Sequence, residues 1–217
     1  MAFPVIFDMD GLMFDTERLR MQAWDYAGQR AGIGPAGYMV LRTLGMSPER
    51  SRQEWQQAFG QQYCPERLQA YKKEFYCLWR KEHHVPVMKG LLPLLQMLQA
   101  QQRPLAVASS SVEEEVRWNL KDAGVETFFS AVVAGDMVAR SKPAPDIYLE
   151  ACSRLGAEPS VCWALEDSAN GVRAAYSAGC RCILVPDLQP ATEETTAMAA
   201  AVCRDLSQAR TFLANMP

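Results

Sequence analysis

Short runs of apolar residues recur along the chain, and each stops abruptly at polar residues. Residues 3–7 run into Asp8, 105–108 into Ser109-Ser110-Ser111, 131–134 into Gly135-Asp136, 161–165 into Glu166-Asp167, and 182–185 into Pro186-Asp187. Runs this short, with no alternation of apolar and polar residues, suit strands buried on both faces, as in parallel sheets. Between them lie segments with apolar positions at helical spacing: 91–101, 113–123, 145–155 and 169–178. The last three are followed by Gly124, Gly156 and Gly179. Glycine just past a helix end accepts the left-handed conformation that closes the last turn. Pro145-Asp146 suits a helix start, because proline has no N–H to leave unpaired there and the acid complements the helix dipole. Strand alternating with helix predicts the α/β class, with a doubly wound parallel sheet and a Rossmann-like core.

From about residue 16 to residue 85 this rhythm breaks. Amphipathic patterns cover 18–30, 49–59 and 66–82, and no strand-like run interrupts them. The predicted organisation is a core of residues 1–15 and 87–217 with an α-helical cap domain, residues 16–86, inserted after the first strand. Such an insertion begins at the carboxyl end of that strand, the edge at which open α/β sheets bind ligands. A lid over that edge is expected, hinged near Asp15 and residues 86–90.

Composition narrows the function without naming it. With 217 residues and 49% hydrophobic content the chain can bury one large core or two small ones. Its 22 Lys+Arg against 25 Asp+Glu, a net charge of -3, argue against nucleic acid or an anionic membrane as the main partner. No run reaches the roughly 18 apolar residues of a membrane span, and the residues before Asp8 lack the features of a secretion signal, so the expected location is the cytoplasm. Seven cysteines (Cys64, Cys77, Cys152, Cys162, Cys180, Cys182, Cys203) are odd in number and scattered, and read as free thiols packed in the interior. Cys180 and Cys182 have no further soft ligand spaced to make a metal site. His83-His84, ahead of Val85-Pro86, suit a helix end. Gly32-Ile33-Gly34-Pro35-Ala36-Gly37 matches the dinucleotide glycine pattern by letter, but it follows a helical segment, and a loop is expected. Neither a Gly-x-x-x-x-Gly-Lys loop nor a Gly-x-Ser-x-Gly elbow occurs.

Candidate chemistry collects at the polar ends of the strand-like runs. Asp8-Met9-Asp10-Gly11 places two carboxylates two residues apart, with a glycine that permits a tight turn around an incoming group. Taken singly, each candidate suits a plainer role: Asp8-x-Asp10-Gly11 a turn or calcium loop, Ser109 a helix cap, Lys142 a solvated charge, Glu166-Asp167 the start of a helix. Their joint occurrence in this order is more informative. The opening Asp-x-Asp-Gly resembles that of the haloacid dehalogenase superfamily. Ser109, the segment Ser141-Lys142-Pro143-Ala144-Pro145-Asp146 and the segment Leu165-Glu166-Asp167-Ser168-Ala169-Asn170-Gly171 are similar to that family's three later motifs. The likeness covers nearly the whole chain, the helical insertion included.

The resemblance implies a Mg2+-dependent phosphatase acting through an aspartyl phosphate. Hydrolysis of a phosphate monoester needs on the order of 20 kcal/mol of catalysis, supplied mainly by positioning and charge neutralisation. By the family's pattern Asp8 attacks phosphorus, while Asp10 protonates the leaving alcohol and then activates water. Asp8, the main-chain carbonyl of Asp10, and Asp167 hold the metal, with Glu166 either a ligand or a support behind it. Ser109 and the Ser110 amide bind phosphoryl oxygens, and Lys142 ties the transferring group to the nucleophile.

Within the superfamily the inserted cap resembles that of the β-phosphoglucomutases and of small sugar or polyol phosphate phosphatases. Arg20 stands where mutases carry a cap histidine, Pro48 in the loop 45–51 where they carry a phosphate-binding arginine, and Val112 where they carry a lysine. These departures favour simple hydrolysis of a small phosphorylated metabolite over phosphosugar mutase activity. A non-catalytic sugar-phosphate sensor is the alternative of another class, although such a module would tolerate loss of Asp8 or Asp10. Arg20, Trp24, Arg50 and Arg52 are the candidate substrate contacts in the cap, as cations for a second anionic group and an aromatic for stacking on a sugar. Because the cap must open and close, a monomer is expected.

Overall fold

The computed structural model describes residues 3–44, 46 and 48–216. Gly45 and Ser47 of the loop compared with the mutases lie outside the described residues, as does the side chain of Pro48. In chain order the elements are β1 (Val5–Phe7), α1 (Thr16–Ala31), α2 (Tyr38–Thr43), α3 (Pro48–Phe59), α4 (Pro65–Trp79), α5 (Leu91–Ala100), β2 (Leu105–Ala108), α6 (Glu113–Asp122), β3 (Ala131–Val133), α7 (Asp146–Arg154), β4 (Trp163–Glu166), α8 (Ala169–Ala178), β5 (Arg181–Leu184), α9 (Glu193–Met198), β6 (Ala201–Val202) and α10 (Leu206–Ala214). They divide into two compact units, Met1–Asp15 with Pro86–Pro217, and Thr16–Val85. The second boundary falls one residue earlier than the sequence pattern suggests. Among the described residues no helix is long and apolar enough to cross a membrane.

The larger unit is a six-stranded parallel sheet in the order β3-β2-β1-β4-β5-β6, with helices in the connections. The doubly wound α/β class read from the pattern is the one observed. β1 lies at the centre, with Ile6 opposite Ala106 on one side and Ala164 on the other. Successive strands leave β1 in opposite directions across the sheet, so its carboxyl end is a topological switch point, where loops diverge and open a crevice. All residues of β1, β2 and β4 are buried, which explains their unbroken apolar character. One face packs Ile6, Ala106, Ala108, Ala164 and Cys182 against Ile147, Tyr148, Val172 and Ala175 from α7 and α8.

β6 falls outside the pattern of apolar runs. It has two residues, one half-buried and one exposed, and so lacks the signature that marks the other strands. Its backbone is held all the same, by Ala200 N–H to Cys182 O at 2.8 Å and Cys203 N–H to Leu184 O at 2.8 Å.

The smaller unit is all helical and has its own core of Trp24, Ala27, Ala36, Met39, Val40, Trp55 and Leu68. The Gly32 to Gly37 segment is the connection between α1 and α2, and the Gly37 N–H donates to Asp25 Oδ1 at 2.6 Å. α4 ends at Trp79, three residues short of the amphipathic pattern, and His83 stacks on the Trp79 ring at 5.2 Å. α1 and α4 are clasped at their polar edge, where the Tyr26 hydroxyl donates to Glu74 Oε1 at 2.8 Å and Arg30 lies 5.4 Å over the Tyr71 ring.

Trp24 corrects an expectation. One ring face packs on Trp55 at 4.3 Å between centroids and the Lys72 ammonium sits 4.2 Å from its ring centre, so this aromatic is interior packing, not a platform for a sugar. The cysteines are free; Cys152, Cys162, Cys180, Cys182 and Cys203 are buried, whereas Cys64 is half-buried and Cys77 exposed. Those last two lie on the amphipathic α4 and its entry, where only one face is covered.

Candidate active site

The loops leaving β1, β2, β3 and β4 bring the candidate groups of the larger unit together. Asp8 extends the ladder past β1, its N–H donating to Leu165 O at 3.0 Å, and its side chain is buried. The chain then turns sharply, with the Met13 N–H donating to Met9 O at 2.9 Å and the Gly11 N–H to Phe14 O at 2.9 Å. Gly11 has φ +85°, and a Cβ there would lie 2.3 Å from Asp167 Oδ2. Only glycine provides both the left-handed turn and the room for that carboxylate.

Lys142, in the loop before α7, is the hub. Its side chain is 6% exposed, and its ammonium donates to Asp8 Oδ1, to Ala108 O at 2.9 Å and to Glu166 Oε1 at 2.6 Å. Three protons meet three acceptors, which fixes the ammonium at the ends of β1, β2 and β4. Glu166 is completely buried; its Oε1 also accepts from the Tyr148 hydroxyl at 2.5 Å, and its Oε2 from Ser168 Oγ at 3.3 Å. Ser168 caps α8 as well, accepting from the Gly171 N–H at 3.1 Å. A Cβ on Gly171 would fall 1.9 Å from the Glu166 carboxylate, so the first turn of α8 is shaped around that acid.

Asp10 faces β2. Its Oδ2 accepts from Ser109 Oγ at 3.1 Å and Ser111 Oγ at 2.8 Å, while the Ser111 N–H donates to Ser109 Oγ at 3.0 Å. Ser109 is buried and Ser110 exposed, and the Ser110 carbonyl lies where a Cβ on Gly135 would come within 2.2 Å.

The electrostatics are those of an acid cluster with one counterion. Asp8, Glu166 and Asp167 each offer an oxygen within 4.8 Å of the others. Burial, and then the neighbouring carboxylates Glu166 and Asp10, push the Asp8 carboxyl well above the ordinary range despite the pull of Lys142. Asp167 is raised in the same direction by burial and by Asp8 and Glu166. Burial disfavours the Lys142 ammonium, yet Asp8 and Glu166 outweigh it and hold its proton more firmly than on a free lysine. Three close carboxylates against one ammonium leave uncompensated negative charge of the size a divalent cation neutralises. A donor set made only of oxygen suits a hard ion such as Mg2+.

Thus Asp8, Asp10, Ser109, Lys142, Glu166 and Asp167, read from separate segments, converge at one end of the sheet. Arg20, Arg50 and Arg52 belong to the helical unit and are exposed there, Arg20 pairing with Glu17 at 3.0 Å. Ser111, Tyr148 and Ser168 also belong to the cluster, although nothing in the pattern singled them out. Ser111 is one serine of a triplet, Ser168 a cap, and Tyr148 has the signature of an ordinary buried position in α7.

The chain is similar to known proteins in sequence and in fold. Over 180 residues the chain is 31% identical to the phosphorylated carbohydrates phosphatase of Thermotoga maritima, covering 81% of each protein. Its fold matches the crystal structure of CbbY from Rhodobacter sphaeroides in complex with phosphate, at 27% identity and a TM-score of 0.78 over 96% of each chain. It also matches the beta-phosphoglucomutase of Clostridium difficile, at 22% identity and a TM-score of 0.74 over 96% of this chain and 93% of that one, a likeness of fold alone. The family model described as haloacid dehalogenase-like hydrolase matches residues 5–185, and the chain belongs to that family.

Proposed function

We propose that this phosphoric monoester hydrolase acts on a small phosphorylated sugar or polyol, requires Mg2+, and works through an aspartyl phosphate on Asp8. The observation that carries the reading is the Lys142 ammonium held between Asp8 and Glu166, with Asp167 completing an oxygen cluster beside it. A nucleophilic carboxylate meeting an anionic phosphoryl group needs cations on both sides of the transferring group.

Asp8 attacks phosphorus in line with the leaving oxygen; the new bond is carboxylate oxygen to phosphorus, and the bond to the alcohol oxygen breaks. Asp10 passes a proton to that oxygen, and the alcohol departs. In the second half Asp10 takes a proton from water as the water oxygen attacks phosphorus, which releases inorganic phosphate and restores the Asp8 carboxylate. Ser111, bonded to Asp10 Oδ2, orients that carboxylate for both transfers, and Ser109 shares the task until substrate draws its one hydroxyl proton. Ser109 and the Ser110 amide hold the phosphoryl oxygens, and the Lys142 charge offsets that of the transferring group while its bond to Asp8 keeps the nucleophile aligned. Asp8, the Asp10 main-chain carbonyl and Asp167 would hold Mg2+, with Glu166 as ligand or support, and the ion would supply charge neutralisation for the reaction of two anions. Selectivity is assigned to the helical unit, with Arg20, Arg50 and Arg52 among its exposed cations.

The test is phosphate release from a panel of sugar and polyol phosphates. Asp8→Asn should lower turnover by roughly 10^3-fold or more with the fold retained. EDTA should silence the enzyme and Mg2+ restore it. Release unchanged in Asp8→Asn would overturn the nucleophile. Conversion of β-glucose 1-phosphate to glucose 6-phosphate in the presence of the bisphosphate, as the main reaction, would replace hydrolysis by mutase activity.

A further inference from the structure

Tyr148 is a completely buried tyrosine whose hydroxyl points at the charged cluster, and none of the steps above uses it. It lies in the first turn of α7, directly after the loop that delivers Lys142 to the site, so one short segment places both groups. The hydroxyl donates to Glu166 Oε1 at 2.5 Å, and that same oxygen accepts the Lys142 ammonium at 2.6 Å. The ammonium lies 5.2 Å from the centre of the Tyr148 ring.

We propose that Tyr148 is a positioning residue: by sharing Glu166 Oε1 with Lys142, its hydroxyl limits how strongly Glu166 draws the ammonium and so keeps Lys142 committed to Asp8. The proposal rests on the phosphatase reading above and deepens it.

A carboxylate oxygen inside a protein attracts an ammonium more strongly when it has no second donor, because each donor disperses part of its charge. With the hydroxyl present, Glu166 Oε1 is satisfied from two sides, and the ammonium divides itself among Asp8, Ala108 O and Glu166. Without it, Glu166 pulls the ammonium away from Asp8. Asp8 then carries more uncompensated charge, which favours a bound cation but misdirects the nucleophile. Burial, and then the charge on Glu166, hold the phenol proton well above its usual range, so the hydroxyl is a donor throughout the working range of pH.

The geometry therefore yields a signature with two opposite signs. Tyr148→Phe should lower kcat about tenfold with little change in KM, from loss of a hydrogen bond to a charged group. The same variant should bind Mg2+ a few-fold more tightly, measured by calorimetry on metal-free protein without substrate. A residue that merely supported the fold would weaken both together. Tyr148→Leu, which also removes the ring, separates packing from the hydroxyl: unchanged kcat in Tyr148→Phe with a loss only in Tyr148→Leu overturns the proposal, and so does weaker or unchanged Mg2+ binding in Tyr148→Phe.

On the unsubstituted protein, the hydroxyl proton shared with Glu166 should give a downfield proton resonance that moves on addition of Mg2+. A resonance indifferent to Mg2+ counts against the proposal even if the variants do not fold. Asp8→Asn is run beside them. If it retains turnover, the assignment of Asp8 as nucleophile, on which the proposal rests, has failed; if it is dead while Tyr148→Phe matches the unsubstituted protein, only the role of Tyr148 has.

Discussion

At the scale of single residues the site is governed by one ammonium among several acids. Lys142 is buried with its two carboxylate partners, and removing one member of such a group leaves uncompensated charge in a medium that solvates it poorly. Lys142→Met should therefore lose activity and also cost roughly 3 kcal/mol of stability in metal-free urea denaturation, part of it recovered on adding Mg2+. The raised carboxyls set a pH dependence with a definite sign. A carboxyl whose folded pKa exceeds its unfolded value keeps its proton on folding, so its contribution makes stability fall as pH rises from about 4. Asp167 is such a group. In melting curves without metal, Asp167→Asn should remove part of that decline, and Mg2+ should remove it in the unsubstituted protein. A steeper decline in Asp167→Asn would contradict the assignment.

At the scale of elements, the loops act through their fit to one another. α8 begins where Glu166 ends, and Gly171 leaves the space its carboxylate occupies. Alanine is the better helix former by about 1 kcal/mol, so Gly171→Ala would stabilise an unconstrained helix. Here the new Cβ would collide with the Glu166 carboxyl, and the expected result is lower melting temperature and at least tenfold lower turnover. A stabilised, fully active variant would show that the carboxylate can move aside.

Much of this layer is readable in the chain itself. The strands of the sheet centre announce themselves because burial on both faces demands unbroken apolar runs, and Ser109, Glu166 and Asp167 follow as the residues at which those runs stop. β6 is not readable, because an edge strand with one exposed residue carries no such run. α4 stops at Trp79 while its amphipathic pattern continues, so the pattern alone overruns the helix.

For the whole molecule, burial divides the thiols into two groups. Cys77 is exposed and Cys64 half-buried, whereas the other five lie in the interior. Burial raises the Cys182 and Cys203 thiols, and a hydrogen bond donated to the neighbouring Cys152 sulfur, with burial, raises Cys162. A thiol reagent applied to native protein should label Cys77 rapidly and Cys64 more slowly, with the remaining five modified only on unfolding. Mass spectrometry of the labelled peptides reads this directly. Early labelling of Cys152 or Cys182 would mean that the sheet opens under native conditions.

Family, fold class and the segments that carry the chemistry are legible in the chain alone, because these depend on local order: where apolar runs stop, and which residue types follow them. Which atoms meet is visible only once the chain is folded. Trp24 reads as available for a ligand until Trp55 and Lys72 are seen to occupy it. Tyr148 reads as ordinary packing until its hydroxyl is found on Glu166. Contacts of that kind join residues far apart in the chain through the direction of a side chain, and no spacing rule along one segment encodes a direction set by another.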